Sequence, residues 1–301
     1  MKPVVVVGGI NLDTLARIET ETVRGSSNPG RTIAAPGGVG RNIAENLARL
    51  GSTVRLAGAV GRDHAGDLLL SGLGLLDVDT SRVKRHDNLR TGTYTAVLTR
   101  DGDLDIGVAD MAATASVVPA DLGGGLLDDA GWLVLDGNLR TDTIEHGLRL
   151  AAARGIPVVL DPVGVAKAGR LGAIPGVHTF TPNAAELTAW AGVDDQDAAI
   201  AHAHEQGVEV VWLRHGAAGS VLHRAGLPEI RVSLPPAEVV DVTGAGDAML
   251  AAYVHRLNTG ADLEAAAWFG AAAAWLTVGS PSPVHADLTE ILVDRTLEEL
   301  R

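Results

Sequence analysis

The stretch VVDVTGAGDAMLAAYVHRL, residues 239–257, carries the strongest signal in the chain. Its apolar start predicts a short strand ending at Val242, the small residues Thr243 to Gly246 predict a turn, and Asp247 opens a long helix with an apolar face. Glycines let the backbone approach a ligand closely, and the first amides of a helix favour negative charge. A carboxylate placed there can accept a hydroxyl proton while the amides hold a phosphoryl group, and we expect the helix dipole to keep it ionised at neutral pH. The same pattern also fits an ordinary helix start, with Asp in the first turn and glycines in a tight turn.

A second glycine-rich turn lies far earlier in the chain, in PGGVGRNIAENLARLG (36–51). Asn42 stands where the following helix begins, which fits either a ligand site or a loop closed by a capping Asn. Taken together and in this order, the two stretches resemble the two signatures of the PfkB, or ribokinase-like, carbohydrate kinases. The resemblance extends over nearly the full chain, from Val4 to about Pro283.

This resemblance implies an ATP-dependent kinase and gives roles to the residues of the later stretch. Asp247 corresponds to the base that activates a substrate hydroxyl, and the backbone amides of Gly244, Ala245 and Gly246 correspond to the anion hole. The implied cofactors are ATP and Mg²⁺. A chain of formal charge −13 needs helix starts, backbone amides and a divalent cation to hold a triphosphate.

Substrate contacts are implied at three places. The earlier stretch supplies its glycine pair and the following Asn, and GGINLD (8–13) supplies a polar pair after the first predicted strand, at the sheet edge where open α/β folds bind ligands. The strand end WLVLDGN (132–138) supplies an Asn where ribokinase has an acidic sugar contact. The six residues are Gly37, Gly38, Asn42, Asn11, Asp13 and Asn138.

Nucleotide contacts are implied in the last third of the chain. TPNAAE (181–186) resembles the N-x-x-E motif of the family, whose Asn and Glu influence Mg²⁺ and phosphate; here they are Asn183 and Glu186, although these residue types also make a helix cap. In LRHGAAGS (213–220), Gly216 and Gly219 fit a nucleotide-contacting strand end. Arg214 departs from the family pattern, because it stands where a Ser or Thr is usual.

A monovalent-cation site is also implied beside the anion hole. Asp241, Thr243 and the loop around Gly279 resemble the family's site, and K⁺ is the expected ion.

The fold class follows from alternating strand and helix patterns. PVVVVGG at the start is a β-branched run typical of a strand buried on both faces of a parallel sheet. Similar runs and Ala- and Leu-rich helical patterns follow it, several of them closed by glycine. We therefore expect one ribokinase-like α/β domain over 1–301, with a doubly wound, mostly parallel sheet and helices on both faces.

Two segments, 14–35 and 90–111, interrupt this alternation and are predicted to form a small β-sheet lid. The second resembles a hairpin with its turn at residues 100–103, and we expect its alternate apolar residues to form one uncovered face. Because a two-stranded ribbon is marginally stable alone, we expect this face to pair with the same element of a second chain in a homodimer.

Composition excludes several classes of protein. The balance of 24 Lys and Arg against 37 Asp and Glu disfavours binding to nucleic acid or to an anionic membrane surface. With no cysteine, disulfides, thiolate metal sites and cysteine nucleophiles are all absent. The short apolar start does not fit a signal peptide, so a cytoplasmic protein is expected.

Details of the earlier glycine-rich stretch resemble pseudouridine kinases more than ribokinases, which typically have G-G-K-G-A-N-Q-A there. GVADM (107–111) and DPVGVAK (161–167) also look like that branch. The expected acceptor is therefore pseudouridine. Another sugar or nucleoside kinase of the family (ribokinase, fructokinase or an adenosine/inosine type) and a non-catalytic sensor with the same fold are the alternatives.

Overall fold

The computed structural model describes residues 1–301 and contains a nine-stranded sheet and a four-stranded sheet. The strands of the larger sheet are β1 (Val4–Val7), β4 (Val54–Gly61), β5 (Asp79–His86), β8 (Trp132–Asp136), β9 (Val158–Asp161), β10 (Thr179–Phe180), β11 (Val210–Arg214), β12 (Ser220–Arg224) and β13 (Ile230–Val232). Those of the smaller sheet are β2 (Asn11–Ile18), β3 (Gly30–Gly37), β6 (Gly92–Leu98) and β7 (Leu104–Asp110).

The larger sheet is parallel except at one edge. Its order is β13-β12-β11-β10-β9-β8-β1-β4-β5, and only β12 and β13 run antiparallel to their neighbours. The chain starts at β1 and winds first toward β5 and later toward β13, so β1 pairs with β4 on one side and β8 on the other. This is the expected doubly wound, ribokinase-like α/β architecture.

Helices cover both faces of this sheet. They are α1 (Val39–Arg49), α2 (His64–Gly74), α3 (Ala112–Ala115), α4 (Thr141–Ala152), α5 (Val165–Ala168), α6 (Ala184–Ala191), α7 (Gln196–Glu205), α8 (Ala245–Asn258), α9 (Leu263–Val278) and α10 (Glu290–Leu300). Short 3₁₀ turns lie at Pro119–Leu122 and Gly216–Ala218. None of the helices combines the length and apolarity that crossing a membrane would require.

The valine run of β1 explains why the core has two halves. Val4 and Val6 pack with α1, α2, α8 and α9 on one face of the sheet, whereas Val5 and Val7 pack with α3, α4, α6 and α7 on the other. Because successive side chains of a strand point to opposite faces, only a strand covered on both sides can bury four consecutive valines. All four are at most 1% exposed.

The smaller sheet is the predicted lid, with strand order β3-β2-β6-β7. Its hairpin differs from the prediction in one respect. Tyr94 and Ala96 lie opposite Ala109 and Gly107, whereas Ile106 and Val108 lie opposite Val97 and Thr95, on the other face of the sheet. The expected single apolar face is therefore wrong, and the apolar residues divide between two faces.

A second difference lies just before α8. The strand expected to end at Val242 is absent, and residues 233–244 form no strand. Val239, Val240 and Val242 are each more than half exposed. Their only ladder-like contacts are the amides of Val240 and Asp241, which donate to the carbonyl oxygen of Val278 at 2.8 and 3.2 Å. A β-branched run is therefore not sufficient for a strand when it does not pair with another strand.

Candidate active site

Asp247 lies in the first turn of α8, at the carboxyl edge of the larger sheet. Gly244 precedes the helix with φ of 79°, and a methyl group there would lie 2.0 Å from the carbonyl oxygen of Pro283, so only glycine fits. The amides of Gly246 and Asp247 donate to no protein acceptor, because the first hydrogen bond of the helix proper is from Ala248 to Gly244. This is the arrangement that an anion hole requires.

The Asp247 carboxyl group is 9% exposed, and burial raises its pKa to about 7. The nearby carboxylates of Asp161 and Asp136 act in the same direction, while the hydrogen bond from Asn42 and the charge of Arg214 oppose them. This differs from the expectation that the helix dipole keeps the group ionised at neutral pH, because burial is the largest influence on its pKa. Near pH 7 the group exists in both protonation states, as a general base working at that pH requires.

Asn42 contacts this carboxylate directly. Its Nδ2 donates to Asp247 Oδ2 at 2.7 Å, across a sequence separation of 205 residues. The amide cannot be reversed, because Asn42 Oδ1 accepts from the Arg41 guanidinium, with Nε at 3.1 Å, and Arg41 pairs in turn with Glu45 at 2.7 Å. The structure thus brings the two glycine-rich stretches together, and it gives Asn42 a contact with Asp247 that the sequence did not suggest.

The end of the lid that adjoins the larger sheet is formed by four of the expected substrate contacts: Asn11, Asp13, Gly37 and Gly38. Asn11 Nδ2 donates to Asp13 Oδ1, and burial raises the pKa of Asp13 to about 6, although Asn11 and Arg41 both lower it. A methyl group on Gly37 would lie 2.1 Å from Asp13 Oδ2, and one on Gly38 would lie 2.4 Å from the Gly9 carbonyl oxygen. The glycine pair therefore allows the lid strands to approach the first loop closely.

Asn138 lies on the far side of β1, just after β8. Its backbone amide donates to Asp136 Oδ1 at 2.9 Å, and its Oδ1 accepts from Lys167 Nζ at 2.5 Å. Asp136 is buried, which raises its pKa, and Gly9 also donates to it at 2.8 Å. Burial lowers the pKa of Lys167, whose ammonium group is directed toward Asn138 by this hydrogen bond.

Asn183 and Glu186 begin α6 as a reciprocal capping box, with bonds of 2.8 and 2.9 Å. Glu186 is nonetheless buried, and Arg214 bridges it to Asp161, with nitrogen-to-oxygen distances of 3.1 and 3.3 Å. The residue that replaces the usual hydroxyl thus pairs with two buried carboxylates. Gly216 and Gly219 shape the turn that joins β11 to β12 beside it.

The residues of the expected cation site lie next to each other in two loops. The Thr243 amide donates to Asp241 Oδ1 at 2.9 Å, and the Asp241 amide donates to the carbonyl oxygen of Val278, the neighbour of Gly279. No group of three or more His, Asp or Glu side chains is arranged to hold a metal ion anywhere in the chain. Ligands for a monovalent ion would therefore have to include backbone oxygens.

Four residues of the site were not singled out from the sequence: Arg41, Glu45, Asp136 and Asp161. Asp136 and Asp161 each occupy the last position of a buried parallel strand, and that position is the signal that could have found them. Arg41 and Glu45 read as surface residues of an amphipathic helix, so their burial was not visible in the pattern.

Comparison with known proteins identifies relatives along the whole chain. The profile of the pfkB family of carbohydrate kinases matches residues 1–290. An uncharacterised sugar kinase of Escherichia coli K12, YeiI, is 31% identical over 92% of this chain and 78% of its own length. The pseudouridine kinase of the same organism is 31% identical over 82% of this chain and 81% of its own length. The structure of Arabidopsis thaliana ribokinase with ribose and ATP superposes with a TM-score of 0.87 at 27% identity, covering 99% of both chains.

Proposed function

The chain belongs to the pfkB family of carbohydrate kinases, and we propose that it transfers the γ-phosphoryl group of ATP to the 5′-hydroxyl of pseudouridine. The observation that carries the kinase assignment is the Asp247 carboxylate at the start of α8, which is bonded to Asn42 and lies beside the unpaired backbone amides of Gly246 and Asp247.

Bond formation, bond cleavage and proton transfer occur at this site in one concerted step. The acceptor oxygen forms a bond to the γ-phosphorus while the bond to the oxygen bridging the β- and γ-phosphates breaks. The hydroxyl proton passes to Asp247, and the electron pair of the broken bond leaves with ADP. The amides of Gly246 and Asp247 stabilise the charge on the transferring group, since no protein acceptor competes for them.

Mg²⁺ fits the carboxylates beside Arg214. This ion prefers oxygen ligands and is usually held by one or two carboxylates together with nucleotide phosphates and water. Glu186 Oε2 is occupied by the Asn183 amide and by Arg214, but its Oε1 takes no hydrogen bond from the protein. That oxygen would hold the ion or one of its waters, and the ion would supply charge neutralisation of the β- and γ-phosphates.

Pseudouridine is favoured over a free sugar by the lid. In the pairing of β2 with β6, Asp13 lies beside Tyr94, and side chains in register share one face of a sheet. Tyr94 is 37% exposed on the face that carries Asp13, so an aromatic ring stands next to the expected ribose contact. A nucleobase attached to that ribose can stack on the ring, whereas ribose alone has nothing to place there. The pseudouridine kinase of Escherichia coli is also among the relatives.

An acceptor panel tests this proposal. We expect ADP formation with Mg·ATP to be far faster with pseudouridine than with uridine, ribose, fructose or adenosine, and we expect pseudouridine 5′-phosphate as the product by mass spectrometry. Equal turnover of ribose and pseudouridine would show that the base is not read and would favour a general sugar kinase. Binding of nucleosides without any ATP turnover would favour the sensor.

A further inference from the structure

Arg214 ends β11 with its guanidinium against the start of α8. A methyl group built on Gly246 would lie 2.7 Å from Arg214 Nη1, so the guanidinium touches the backbone whose amides form the anion hole. The side chain is 19% exposed and is not sealed into the core. Its charge also acts on Asp247, whose pKa it lowers.

The charge around this point is otherwise negative. Asp136, Asp161, Glu186 and Asp247 are buried carboxyl groups at one edge of the sheet. Two other cations lie nearby but are directed elsewhere, since Lys167 bonds to Asn138 and Arg41 bonds to Asn42 and Glu45. A γ-phosphoryl group approaching the acceptor would therefore meet repulsion that backbone amides alone offset poorly.

The guanidinium retains unused donors. Of its five N–H groups, one at Nη1 is used by Asp161 and one at Nη2 by Glu186, and no other protein acceptor is within hydrogen-bond distance. The two carboxylates fix the orientation of the planar group without using all its donors. A positively charged fork held in place beforehand can bind a trigonal phosphoryl group with little reorganisation.

We propose that Arg214 is a catalytic residue that donates hydrogen bonds to the phosphoryl group while it moves from ATP to the acceptor oxygen. This inference rests on the proposed kinase function. Charge spreads over the three equatorial oxygens in that transition state, and a guanidinium beside them stabilises it more than the ground state. A Ser or Thr at this position, as is usual in the family, would offer one neutral donor in place of the fork.

The experiment compares two bound states in the intact protein by calorimetry. AMP-PNP reports ground-state binding, and ADP with aluminium fluoride and pseudouridine mimics the transferring group. In Arg214→Gln we expect AMP-PNP affinity to change by less than about threefold, while affinity for the aluminium fluoride complex and kcat both fall by about 10²–10³-fold. Arg231→Gln is the matched control, because Arg231 lies on β13, two strands away from β11, with its side chain 74% exposed, and both affinities should be unchanged.

Arg214→Lys protects the test against misfolding, because it keeps the charge that pairs with Asp161 and Glu186. It should lose at least tenfold in affinity for the aluminium fluoride complex, since an ammonium cannot form the fork. Equal losses of affinity for AMP-PNP and for the aluminium fluoride complex would overturn the inference, because Arg214 would then contact the nucleotide equally in the ground state. Unchanged affinity for both would also overturn it, because Arg214 would then only form ion pairs with Asp161 and Glu186. If the unaltered protein binds neither complex and turns over no acceptor, the proposed function itself fails.

Discussion

At the scale of single residues, the Asp247 carboxylate is buried where its charge is disfavoured. Asp247→Asn keeps the shape and the contact with Asn42 but cannot accept a proton, so we expect kcat to fall by about 10²–10⁴-fold while AMP-PNP affinity stays within about threefold. Steady-state kinetics with the best acceptor, together with calorimetry, check this. A variant with near-normal turnover would show that Asp247 is only a helix-start residue.

The thermal stability of the same variant provides an independent check on the raised pKa of Asp247. The pKa of Asp247 is about 7 in the folded protein, against 3.8 for an Asp side chain in the unfolded chain. The stability associated with its protonated form is therefore complete below about pH 3.8 and is lost as pH rises through 7. Asn carries no such dependence. We expect Asp247→Asn to melt at a higher temperature than the unaltered protein, and by more at pH 8 than at pH 5, with an upper limit of about 4 kcal/mol.

The pH dependence of kcat/KM should report this group. Because the base must be deprotonated, kcat/KM should rise with pH and level off above an apparent pKa near 7. The hydrogen bond from Asn42 lowers that pKa, so Asn42→Ala should move the acid limb to higher pH and recover part of its lost rate at pH 9. A profile that keeps its position while KM rises would show that Asn42 contacts only the substrate.

The chemistry of these residues was only partly predictable from the sequence. Asp247 and Asn42 stand in recognisable stretches, but their mutual hydrogen bond joins distant segments and depends on how α1 packs against α8. The raised pKa of Asp247 has the same origin. Asp136, Asp161 and Asp247 belong to β8, β9 and α8, and the burial of Asp247 depends on how these elements pack. No local sequence pattern therefore encodes the raised pKa.

At the scale of elements, the proposed function predicts that the lid strand β6 contacts the base of the nucleoside. Tyr94→Ala removes the aromatic ring beside Asp13, and we expect KM for pseudouridine to rise by about 5–150-fold, since stacking of a base on an aromatic ring contributes about 1–3 kcal/mol. The slow turnover of ribose should be unaffected, and Thr95→Ala, on the opposite face of the same strand, is the control. Parallel losses for ribose and pseudouridine would contradict this role.

The contact between the Asp241 amide and Val278, at the end of α9, leads to a prediction about the effect of K⁺ on the rate. If K⁺ binds there, it orders the turn that presents the anion-hole amides. Replacing K⁺ by tetramethylammonium at constant ionic strength should then lower kcat several-fold without changing the acid limb of the pH profile. Identical rates in both salts would remove the monovalent ion from the mechanism.

Strands buried on both faces of the sheet were the elements predicted best from the sequence. β1 and β8 are apolar runs covered on both faces, and both were identified. The hairpin shows the limit of this reasoning, because alternation along one strand does not fix which residues of the next strand lie opposite. The register shift between Val97 and Leu98 contributes to that, and the sequence gives no sign of it.

At the scale of the whole molecule, the outer face of the lid presents Ile106 and Val108 to solvent beside the half-buried Val97. Ile106 and Val108 are 55% and 58% exposed. We expect two copies of the chain to bury these faces against each other, giving a particle of twice 30.9 kDa by light scattering at micromolar concentration. Ile106→Asp should yield monomers, whereas Leu75→Asp, at an 87% exposed position outside the lid, should not. Monomers of the unaltered protein would end this prediction.

The bond between Asn42 and Asp247 also has a consequence for how the protein is made. A ribosome releases the lid, α1 and most of the larger sheet well before α8 emerges, so the residues expected to bind the acceptor are synthesised before Asp247. Until then Asn42 Nδ2 lacks the carboxylate to which it donates in the finished protein. We therefore expect phosphoryl transfer to be the last property that the nascent chain acquires, and a chain released before α8 should not consume ATP.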